Sequence, residues 1–517
     1  MITISLTMLA SVTDGELLIP EKKPELSPDN LTINQLVTDS RAIEEHSGKD
    51  IAFLALKGPS FDGHRFAKQV IEQGCQLLIV DHHLESVKNA VQLVVNDTRI
   101  ALGQIAAFVK NEVSPKTVGI TGSSGKTTVK EMVAAILSRL GNVLATNGNF
   151  NNDIGVPLTL LRLENSHDFA VIEMGANHMG EIAYTTALTQ PDVAVINNIA
   201  AAHLEGFGDL CGVARAKGEI FSGLGENGVA LYNQDTKYTS KWQWRLTDKT
   251  VRTFSCFNTG TSKADCYSEN VNLDKNGCAT FTLYTRQGHC DVTLPVPGKH
   301  NVCNAVASAA IALEFGASLE DIQLGLAQMK PVKGRLNLHH FENKRTGRSI
   351  KLIDDSYNAN LESAKAAAQL LSNYPGKQLL ILGDMGELGS EARSYHQEVG
   401  TFAKRLKLNT LLSLGVLSQA ASDAFAKDND NNEHSQHFNQ RSELLTYLFT
   451  LLNEQLSDGQ QDVAILVKGS RSAHMEHIVK EILEWFKQMN VLKDINNDLR
   501  ASKENTVSED QSKEGMA

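Results

Sequence analysis

The stretch TGSSGKTT at residues 121–128 restricts the fold of this 517-residue chain more than any other feature. It lies between TVGI, which reads as a buried strand, and TVKEMVAAILSRLG, which reads as a helix. The helical face of that second segment carries Val129, Met132, Val133, Ile136 and Leu137. A glycine-rich turn between a strand and a helix presents backbone N–H groups and a helix N-terminus to phosphate oxygens. The stretch therefore predicts a nucleotide-phosphate site in an α/β fold.

The glycine spacing departs from the P-loop pattern G-x-x-x-x-G-K-[ST]. Five residues before Gly125 stands Ile120, and neither Gly119 nor Gly122 is in register. The frame is formed instead by Gly122, Ser123, Ser124, Gly125, Lys126, Thr127 and Thr128. In this frame we expect the glycines to permit close approach of phosphate, Lys126 to neutralise it and Thr127 to offer its hydroxyl to Mg²⁺. A chance Gly-Lys-Thr in an ordinary strand–helix turn is the alternative.

Strand-like and helix-like segments alternate along the chain, which indicates parallel sheets covered by helices on both faces. At roughly 100–200 residues per domain, the length suggests about three domains. The predicted limits are 1–115, 116–327 and 328–488, followed by a polar tail at 489–517 that we expect to be disordered. The stretch 256–298 alternates with period two and predicts an antiparallel insertion in the second domain.

Charge and composition limit the partners and the compartment. The net charge of -11 lacks the basic footprint of a nucleic-acid-binding protein, so we expect no nucleic acid partner. No uncharged apolar run reaches the ~18 residues of a membrane span, and the N-terminus lacks the basic region of a signal peptide. The seven cysteines include no C-x-x-C pair, which fits neither a disulfide scaffold nor a zinc site and indicates a reducing compartment. These features predict a soluble cytoplasmic protein.

Three candidate site residues follow the central strands. Glu173 ends FAVIE and His203 lies just past VAVINNIA, at the strand ends where α/β sheets place ligands. The carboxylate suits Mg²⁺, and the histidine can ligate a metal or orient a phosphate. Lys217 lies on the helical segment VARAKGEIF. The alternatives are a solvated carboxylate, a structural histidine and a surface lysine.

Four further residues predict nucleotide contacts. Asn301 and Asn304 are three residues apart and share a helical face, where they can read an adenine edge or cap the helix. Arg335 in KGRLNLH suits phosphate, and Asp355 in LIDDSYNAN suits ribose hydroxyls. A surface ion pair is the alternative for each of these last two.

Together, in this order, the motifs resemble the Mur ligase superfamily from about residue 30 to residue 485. The short glycine frame is the form typical of that family. The other matching segments are GNFNNDIGVPLTLLRL, VIEMGANHMGEI, AAAHLEGFG, ARAKGEIFSGL, DDSYNAN, GDMGELG and VKGSRSAHME. They are most similar to the branch that adds D-alanyl-D-alanine to a UDP-N-acetylmuramoyl-tripeptide. The D-N-P-R signature of the diaminopimelate- or lysine-adding branch is absent.

The resemblance implies three α/β domains: a UDP-sugar-binding first domain, a central ATP-binding domain with a mostly parallel sheet, and a Rossmann-like third domain that helps to bind ATP and the incoming amine. It implies an ATP-dependent ligase that works through an acyl phosphate, in the last cytoplasmic step of the peptidoglycan precursor pathway. The expected partners are the UDP-linked tripeptide and D-alanyl-D-alanine, the expected cofactors are ATP and Mg²⁺, and the expected state is a monomer.

The resemblance also assigns roles. Lys126, Glu173, His203 and Lys217 are expected to be catalytic. Thr127 and Glu173 are expected to hold one Mg²⁺, and His203 the other, together with Lys217 carbamylated by CO₂. Expected substrate contacts are Ser40 and Arg41 of TDSR, Lys57 of KGPSFDGH, and Asn151 and Asn152 of GNFNNDIG. A capped turn is the alternative for the first three.

Three rival functions stay open. A folylpolyglutamate synthase usually carries G-K-G-S in its loop, whereas this chain has G-K-T-T and a separate N-terminal domain. A regulatory NTPase would hydrolyse ATP without a peptide substrate. A nucleotide-sensing scaffold would bind ATP and release no phosphate.

Overall fold

The computed structural model describes residues 1–20, 29–46, 50–257, 264–427, 434–458, 461–489 and 492–495. The strands are β1 (Ile4–Ser5), β2 (Glu16–Leu18), β3 (Thr32–Ile33), β4 (Gln35–Val37), β5 (Ile51–Leu54), β6 (Lys57–Gly58), β7 (Phe61–Asp62), β8 (Leu77–Val80), β9 (Val91–Val94), β10 (Lys116–Thr121), β11 (Val143–Ala145), β12 (Phe169–Glu173), β13 (Val193–Ile196), β14 (Val229–Asn233), β15 (Thr250–Phe257), β16 (Cys266–Leu273), β17 (Cys278–Thr285), β18 (Gly288–Pro297), β19 (Asn337–Asn343), β20 (Ser349–Asp355), β21 (Lys377–Gly383), β22 (Thr410–Leu414), β23 (His434–Phe438), β24 (Val463–Lys468) and β25 (Leu492–Asp494). The α-helices are α1 (Leu6–Thr13), α2 (Ala67–Glu72), α3 (Thr98–Val113), α4 (Lys126–Leu137), α5 (Gly155–Leu160), α6 (Glu181–Thr189), α7 (Leu204–Phe207), α8 (Leu210–Gly218), α9 (His300–Glu314), α10 (Leu319–Ala327), α11 (Leu361–Leu371), α12 (Ala392–Arg405), α13 (Gln419–Ala426), α14 (Arg441–Asp458) and α15 (Glu476–Gln488).

The first large sheet has the strand order β2-β9-β8-β5-β4, and all its pairs are parallel except β2 with β9. Helix α3 joins it to the next unit. Gly103 on α3 lies directly against Tyr184 and Leu188 of the α6 region, and Leu102 shares one buried cluster with Ile182 of α6. The first unit and the central unit therefore share a hydrophobic core.

The central sheet has nine strands in the order β11-β12-β10-β13-β14-β15-β16-β17-β18. The strands are parallel as far as β16, and β17 and β18 continue the sheet as antiparallel strands. The predicted antiparallel insertion is thus confirmed, as an extension of this sheet. The apolar face predicted for α4 is fully buried, which explains why the helix lies flat against the strands.

The third sheet has the order β23-β22-β21-β24-β20-β19-β25. Its first five strands are parallel, and β19 and β25 are antiparallel additions at one edge. The prediction of disorder from residue 489 is wrong for Leu492–Asp494. These residues pair with Phe341–Asn343, and Leu492 is buried in the core, a contact that the charged composition of the tail conceals. Residues 496–517 of the predicted tail lie outside the described residues.

A hairpin turn of the central sheet contacts the third unit on the side of β20 and α11. Lys351 on β20 donates from Nζ to the carbonyl oxygen of Lys275 at 3.1 Å and to Oδ1 of Asn276 at 2.9 Å. Tyr374 donates from its hydroxyl to the carbonyl oxygen of Asn276 at 2.7 Å. The turn between β16 and β17 is therefore anchored on the third unit.

One pair of cysteines differs from the sequence expectation. Cys256 at the end of β15 and Cys303 on α9 form a disulfide across 47 residues of chain. The expectation of no disulfide framework rested on scattered spacing, which cannot show that α9 packs against β15. Within the described ranges, no helix has the length and apolar character needed to cross a membrane.

Candidate active site

Asparagine side chains pack against one side of the glycine loop. Gly125 has a left-handed φ of 75°, and a Cβ at this position would stand 2.4 Å from Oδ1 of Asn304 and 2.7 Å from Nδ2 of Asn197. Asn198 accepts a hydrogen bond from the Ser124 backbone N–H at 2.9 Å. Only glycine fits this contact and this backbone angle without strain. The asparagines therefore fix one side of the loop, and the loop residues also line the cavity.

Lys126 is the first residue of α4 and folds back over the loop, donating from Nζ to the carbonyl oxygen of Gly122 at 2.9 Å. Burial lowers the pKa of its ammonium group, and the charge of Glu173 partly offsets this effect. A phosphate in the loop would supply the negative charge that this partly desolvated cation lacks.

Thr127 and Glu173 are brought together, as the strand order predicts, because β12 pairs directly with β10. The Thr127 hydroxyl donates to Oε2 of Glu173 at 2.8 Å, and Asn151 donates from Nδ2 to Oε1 at 2.8 Å. Glu173 is buried, so both carboxylate oxygens are fixed in place. The hydroxyl and the carboxylate form a set of hard oxygen donors that suits Mg²⁺.

The third unit supplies the opposite wall of the same cavity, which runs from the glycine loop to Arg335, Asp355 and Lys468. Lys468 at the end of β24 donates to Oδ2 of Asp355 at 2.6 Å, in a pair that is largely shielded from solvent. The Arg335 guanidinium lies 4.5 Å from the centroid of the Tyr357 ring. Two cations and one carboxylate of the third unit thus face the phosphate loop of the central unit.

Asn301 and Asn304 also line this cavity and are buried. Asn301 donates to the carbonyl oxygen of Pro297 at 2.7 Å and accepts from Asn304 at 2.9 Å. Asn304 accepts from Asn197 at 3.1 Å. These bonds place both side chains in the support of α9 and the glycine loop, beside the position predicted for the nucleotide.

His203 lies at a second, adjoining cavity of about 410 Å³ that it lines together with Lys126 and Glu387. Its backbone has a left-handed φ of 54°, and its Nδ1 contacts Oε2 of Glu387 across the cleft. The backbone N–H of Glu205 donates to the carbonyl oxygen of Glu387 at 3.4 Å. His203 therefore joins the central unit to the GDMGELG loop of the third unit.

Lys217 on α8 is buried, with 1% of its surface exposed, and its Nζ lies 6.0 Å from the centroid of the Phe207 ring. The same ring contacts His203 edge-on at 6.3 Å. Burial lowers the pKa of the Lys217 amine well below the ordinary lysine value, and the charge of Lys126 acts in the same direction. Within the described ranges, no carboxylate pairs with this amine. The surface-lysine alternative is thereby excluded.

Four of the predicted substrate residues lie away from the nucleotide cavity. Arg41 is exposed and paired with Asp39, Ser40 is buried, and Lys57 is exposed on the β6–β7 hairpin. Asn152 accepts from the Gly155 backbone N–H at 2.8 Å, close to the start of α5. These positions leave the predicted substrate contacts as predictions.

Two residues that the sequence reading did not select contribute to the site. Lys468 and Glu387 both stand in segments that match the family, VKGSRSAHME and GDMGELG. Lys468 ends a buried strand, which is the signal that selected Glu173 in the central unit. Glu387 carried no such signal, because it lies four residues beyond the end of β21.

Comparison with known proteins agrees with this arrangement. Residues 120–312 match the Mur ligase middle domain, and residues 334–471 match the Mur ligase, glutamate ligase domain. The UDP-N-acetylmuramoyl-tripeptide–D-alanyl-D-alanine ligase of Escherichia coli is 45% identical over 485 residues, which are 94% of this chain and 99% of that protein.

Two solved structures extend the similarity to the fold. A crystal structure of MurF from Acinetobacter baumannii matches with a TM-score of 0.82 at 38% identity, over 93% of this chain and 99% of that one. MurF from Thermotoga maritima in complex with ADP matches with a TM-score of 0.73 at 25% identity, over 86% and 96%. The three-domain α/β architecture predicted from the sequence is confirmed by this likeness, and the chain belongs to the Mur ligase family.

Proposed function

We propose that this chain uses ATP to join D-alanyl-D-alanine to the peptide of UDP-N-acetylmuramoyl-tripeptide, with release of ADP and phosphate. The observation that carries the proposal is the cavity in which the glycine loop with Lys126 faces Arg335, Asp355 and Lys468 of another domain. The ligase names of relatives that match nearly the whole chain support the same reaction.

The reaction needs activation because a carboxylate is a poor electrophile. The terminal carboxylate of the tripeptide attacks the γ-phosphorus of ATP, which forms an acyl phosphate and releases ADP. The amine of the dipeptide then attacks the acyl carbon, the C–O bond to phosphate breaks, and the amine loses a proton to solvent. Lys126 and Arg335 offset the repulsion between the two anions of the first step and stabilise charge on the transferring group.

Mg²⁺ fits the donor set found at the end of β12. Thr127 and Glu173 would hold one ion through the hydroxyl and a carboxylate oxygen, and Asn151 keeps that carboxylate in position. When bound, the ion supplies positive charge next to the phosphates. His203 and carbamylated Lys217, which flank the Phe207 ring, would hold a second ion.

Carbamylation of Lys217 is supported by its burial and by the direction of its pKa shift. A lysine must be neutral to attack CO₂, and the lowered pKa favours the neutral amine. The neutral amine nitrogen forms a bond to the carbon of CO₂, one C=O π bond of CO₂ becomes a C–O⁻ bond, one proton leaves the nitrogen, and a neutral side chain becomes an anion. Incubation with ¹³C-bicarbonate should give a carbamate signal by NMR that Lys217→Met lacks; an unchanged signal in the variant would contradict the assignment.

We also propose that the enzyme works in the cytoplasm as a monomer, as the resemblance to the Mur ligases implies. The domain limits 1–115 and 116–327 are supported by the sheets, whose strands span Glu16–Leu18 to Val91–Val94 and Lys116–Thr121 to Gly288–Pro297. The third sheet supports a start at 328 but runs from Asn337–Asn343 to Leu492–Asp494, so the third domain extends beyond the predicted limit of 488. The uridine contacts of Ser40, Arg41 and Lys57 belong to the same proposal.

A dependence assay tests the reaction. Phosphate release should require ATP, UDP-N-acetylmuramoyl-tripeptide and D-alanyl-D-alanine together. Release without either peptide substrate would favour a regulatory NTPase, and binding of ATP without release would favour a nucleotide sensor. Replacing the peptides by a folate and glutamate tests the synthase alternative.

A further inference from the structure

The second cavity adjoins the phosphate site. It shares Ser123, Lys126 and Asn360 with the nucleotide cavity, and Asn360 donates from Nδ2 to the carbonyl oxygen of Ser123 at 3.4 Å. Its volume of about 410 Å³ lies within the range of small-molecule sites, roughly 300–1,000 Å³. A molecule bound here would face the end of a triphosphate that is held by Lys126.

The wall of this cavity carries one anion and one cation from neighbouring loops. Glu387 follows β21 and Arg471 follows β24, and these two strands pair in parallel, so both loops leave the same edge of the sheet. Strands in a sheet lie about 4.8 Å apart. The two side chains therefore carry opposite charges into the same cavity, from loops that follow adjacent strands.

Glu387 has the features of a binding residue. Its backbone is left-handed with φ at 61°, a conformation that costs a residue with a side chain free energy and is concentrated at functional sites. Its side chain is 53% exposed and contacts His203 of the central unit. The carboxylate thus lies in the same cavity as Lys126, next to the proposed phosphate site.

Arg471 retains binding capacity. Its Nη1 donates to Oε1 of Glu476 at 2.9 Å, and its guanidinium lies 5.7 Å from the centroid of the Tyr357 ring. A guanidinium has five N–H donors, and 59% of this side chain is exposed. Arginine in such a position binds carboxylates in a bidentate manner.

We propose that this cavity binds the acceptor dipeptide by its two charged ends, the ammonium group against Glu387 and the terminal carboxylate against Arg471. The inference rests on the proposed function and adds to it the residues that select a dipeptide. Two residues extend over about 7 Å, so a dipeptide separates its two charges along the cavity, whereas a single amino acid carries both on one carbon. The ammonium group would lie near His203, which contacts Glu387, and it releases one proton to solvent before the free amine attacks the acyl carbon.

The test compares D-alanyl-D-alanine with its C-terminal amide, which lacks the negative charge. The wild-type enzyme should show a KM for the amide raised about 10- to 100-fold, because a charge-assisted hydrogen bond is lost. In Arg471→Met the KM for the dipeptide should rise by a similar factor and the preference over the amide should vanish, while the KM values for ATP and the UDP-tripeptide stay within about twofold. Arg471→Lys should keep part of the preference.

Glu387→Gln should raise the KM for the dipeptide and for the amide by the same factor, since both carry the ammonium group. Arg441→Met, on an exposed arginine at the start of α14, is the matched control and should leave every KM unchanged. An Arg471→Met enzyme that still prefers the dipeptide, or a wild-type enzyme that does not, overturns the inference. Failure of the proposed function looks different, because the wild-type enzyme would then release no phosphate in response to any dipeptide.

Discussion

At the scale of single residues, the site depends on a few side chains whose freedom has been removed. A Cβ at Gly125 would collide with Asn304, and the carboxylate of Glu173 is held on both oxygens. Lys126 is folded over the loop by its bond to Gly122. Groups fixed in this way need little reorganisation when the charge of the transition state develops.

Lys126→Met should lower kcat for ADP release about 10²- to 10³-fold, because the cation facing the phosphates is lost. Lys116→Met is the control, since this lysine is exposed at the start of β10, the strand that leads into the glycine loop. Equal thermal unfolding temperatures for the two variants would show that the fold is intact. Full activity of Lys126→Met would remove the basis of the proposed mechanism.

The burial of His396 predicts that the free energy of unfolding depends on pH. It is fully buried, accepts from the Met385 backbone N–H at 2.9 Å, and burial lowers the pKa of its imidazole. Below the ordinary value of about 6.5, the unfolded chain binds a proton that the folded chain excludes. The free energy of unfolding should therefore fall as the pH drops below 6.5, by about 1.4 kcal/mol for each unit by which the pKa is lowered.

Urea denaturation at pH 7.5, 6.5 and 5.5 measures this contribution. The decline between the last two values should be smaller in His396→Gln than in the wild type. His289→Gln, on an exposed histidine, should decline like the wild type. Parallel curves for all three proteins would show that His396 does not titrate as its burial requires.

At the scale of elements, the helices of the central unit are tied to one another at their ends. Helix α6 begins after Gly180 and has no side-chain cap of its own. Glu219, 5% exposed, accepts from the backbone N–H of Gly180 at 2.9 Å and of Ala183 at 3.1 Å. Because Glu219 directly follows α8, this cap also fixes the end of the helix that carries Lys217.

Glu219→Ala should lower the free energy of unfolding by about 1–3 kcal/mol, because buried N–H groups at the start of α6 lose a charged acceptor. The kcat should also fall, by a larger factor than the KM for ATP changes, because the end of α8 is no longer held by Glu219. Chemical denaturation and steady-state kinetics measure the two effects. Glu226→Gln, exposed in the following loop, is the control, and equal stability of both variants would contradict the capping role.

The elements show how far the sequence determines the site. The apolar period of α4 and the apolar runs of β10, β12 and β13 are local, so they predicted the loop and its neighbour Glu173. The contacts of His203 with Glu387, of Lys468 with Asp355 and of Cys256 with Cys303 join distant segments, and single-sequence patterns carry no information on them. Arg335 and Asp355 were selected by residue type alone, as a cation for phosphate and a carboxylate for ribose hydroxyls, and the sequence did not show that they face the glycine loop.

At the scale of the whole molecule, the first two units share a buried cluster, whereas the buried clusters of the third unit, as far as the structure describes them, contain residues from 336 onward. Half-buried Tyr395 packs against both sets. Polar contacts, such as those of Lys351 with Asn276 and of His203 with Glu387, also cross the junction. Such an interface permits the third domain to move as a body.

Binding of ATP and the UDP-tripeptide should therefore compact the protein, because Arg335 and Asp355 of the third domain close on the nucleotide held by the loop. Small-angle X-ray scattering should show a smaller radius of gyration with both ligands than without. Arg335→Met should bind the UDP-tripeptide but show less compaction. No change in the wild-type radius would contradict ligand-driven closure.

The turn between β16 and β17 restricts the directions in which the third domain can move. Lys351 donates to the side chain of Asn276 and Tyr374 donates to its main-chain carbonyl oxygen. If the third domain moves while these hydrogen bonds persist, it must rotate about this contact. Tyr374→Phe together with Lys351→Met would remove these hydrogen bonds. Both domains would stay folded, but their relative orientation would no longer be fixed at this point.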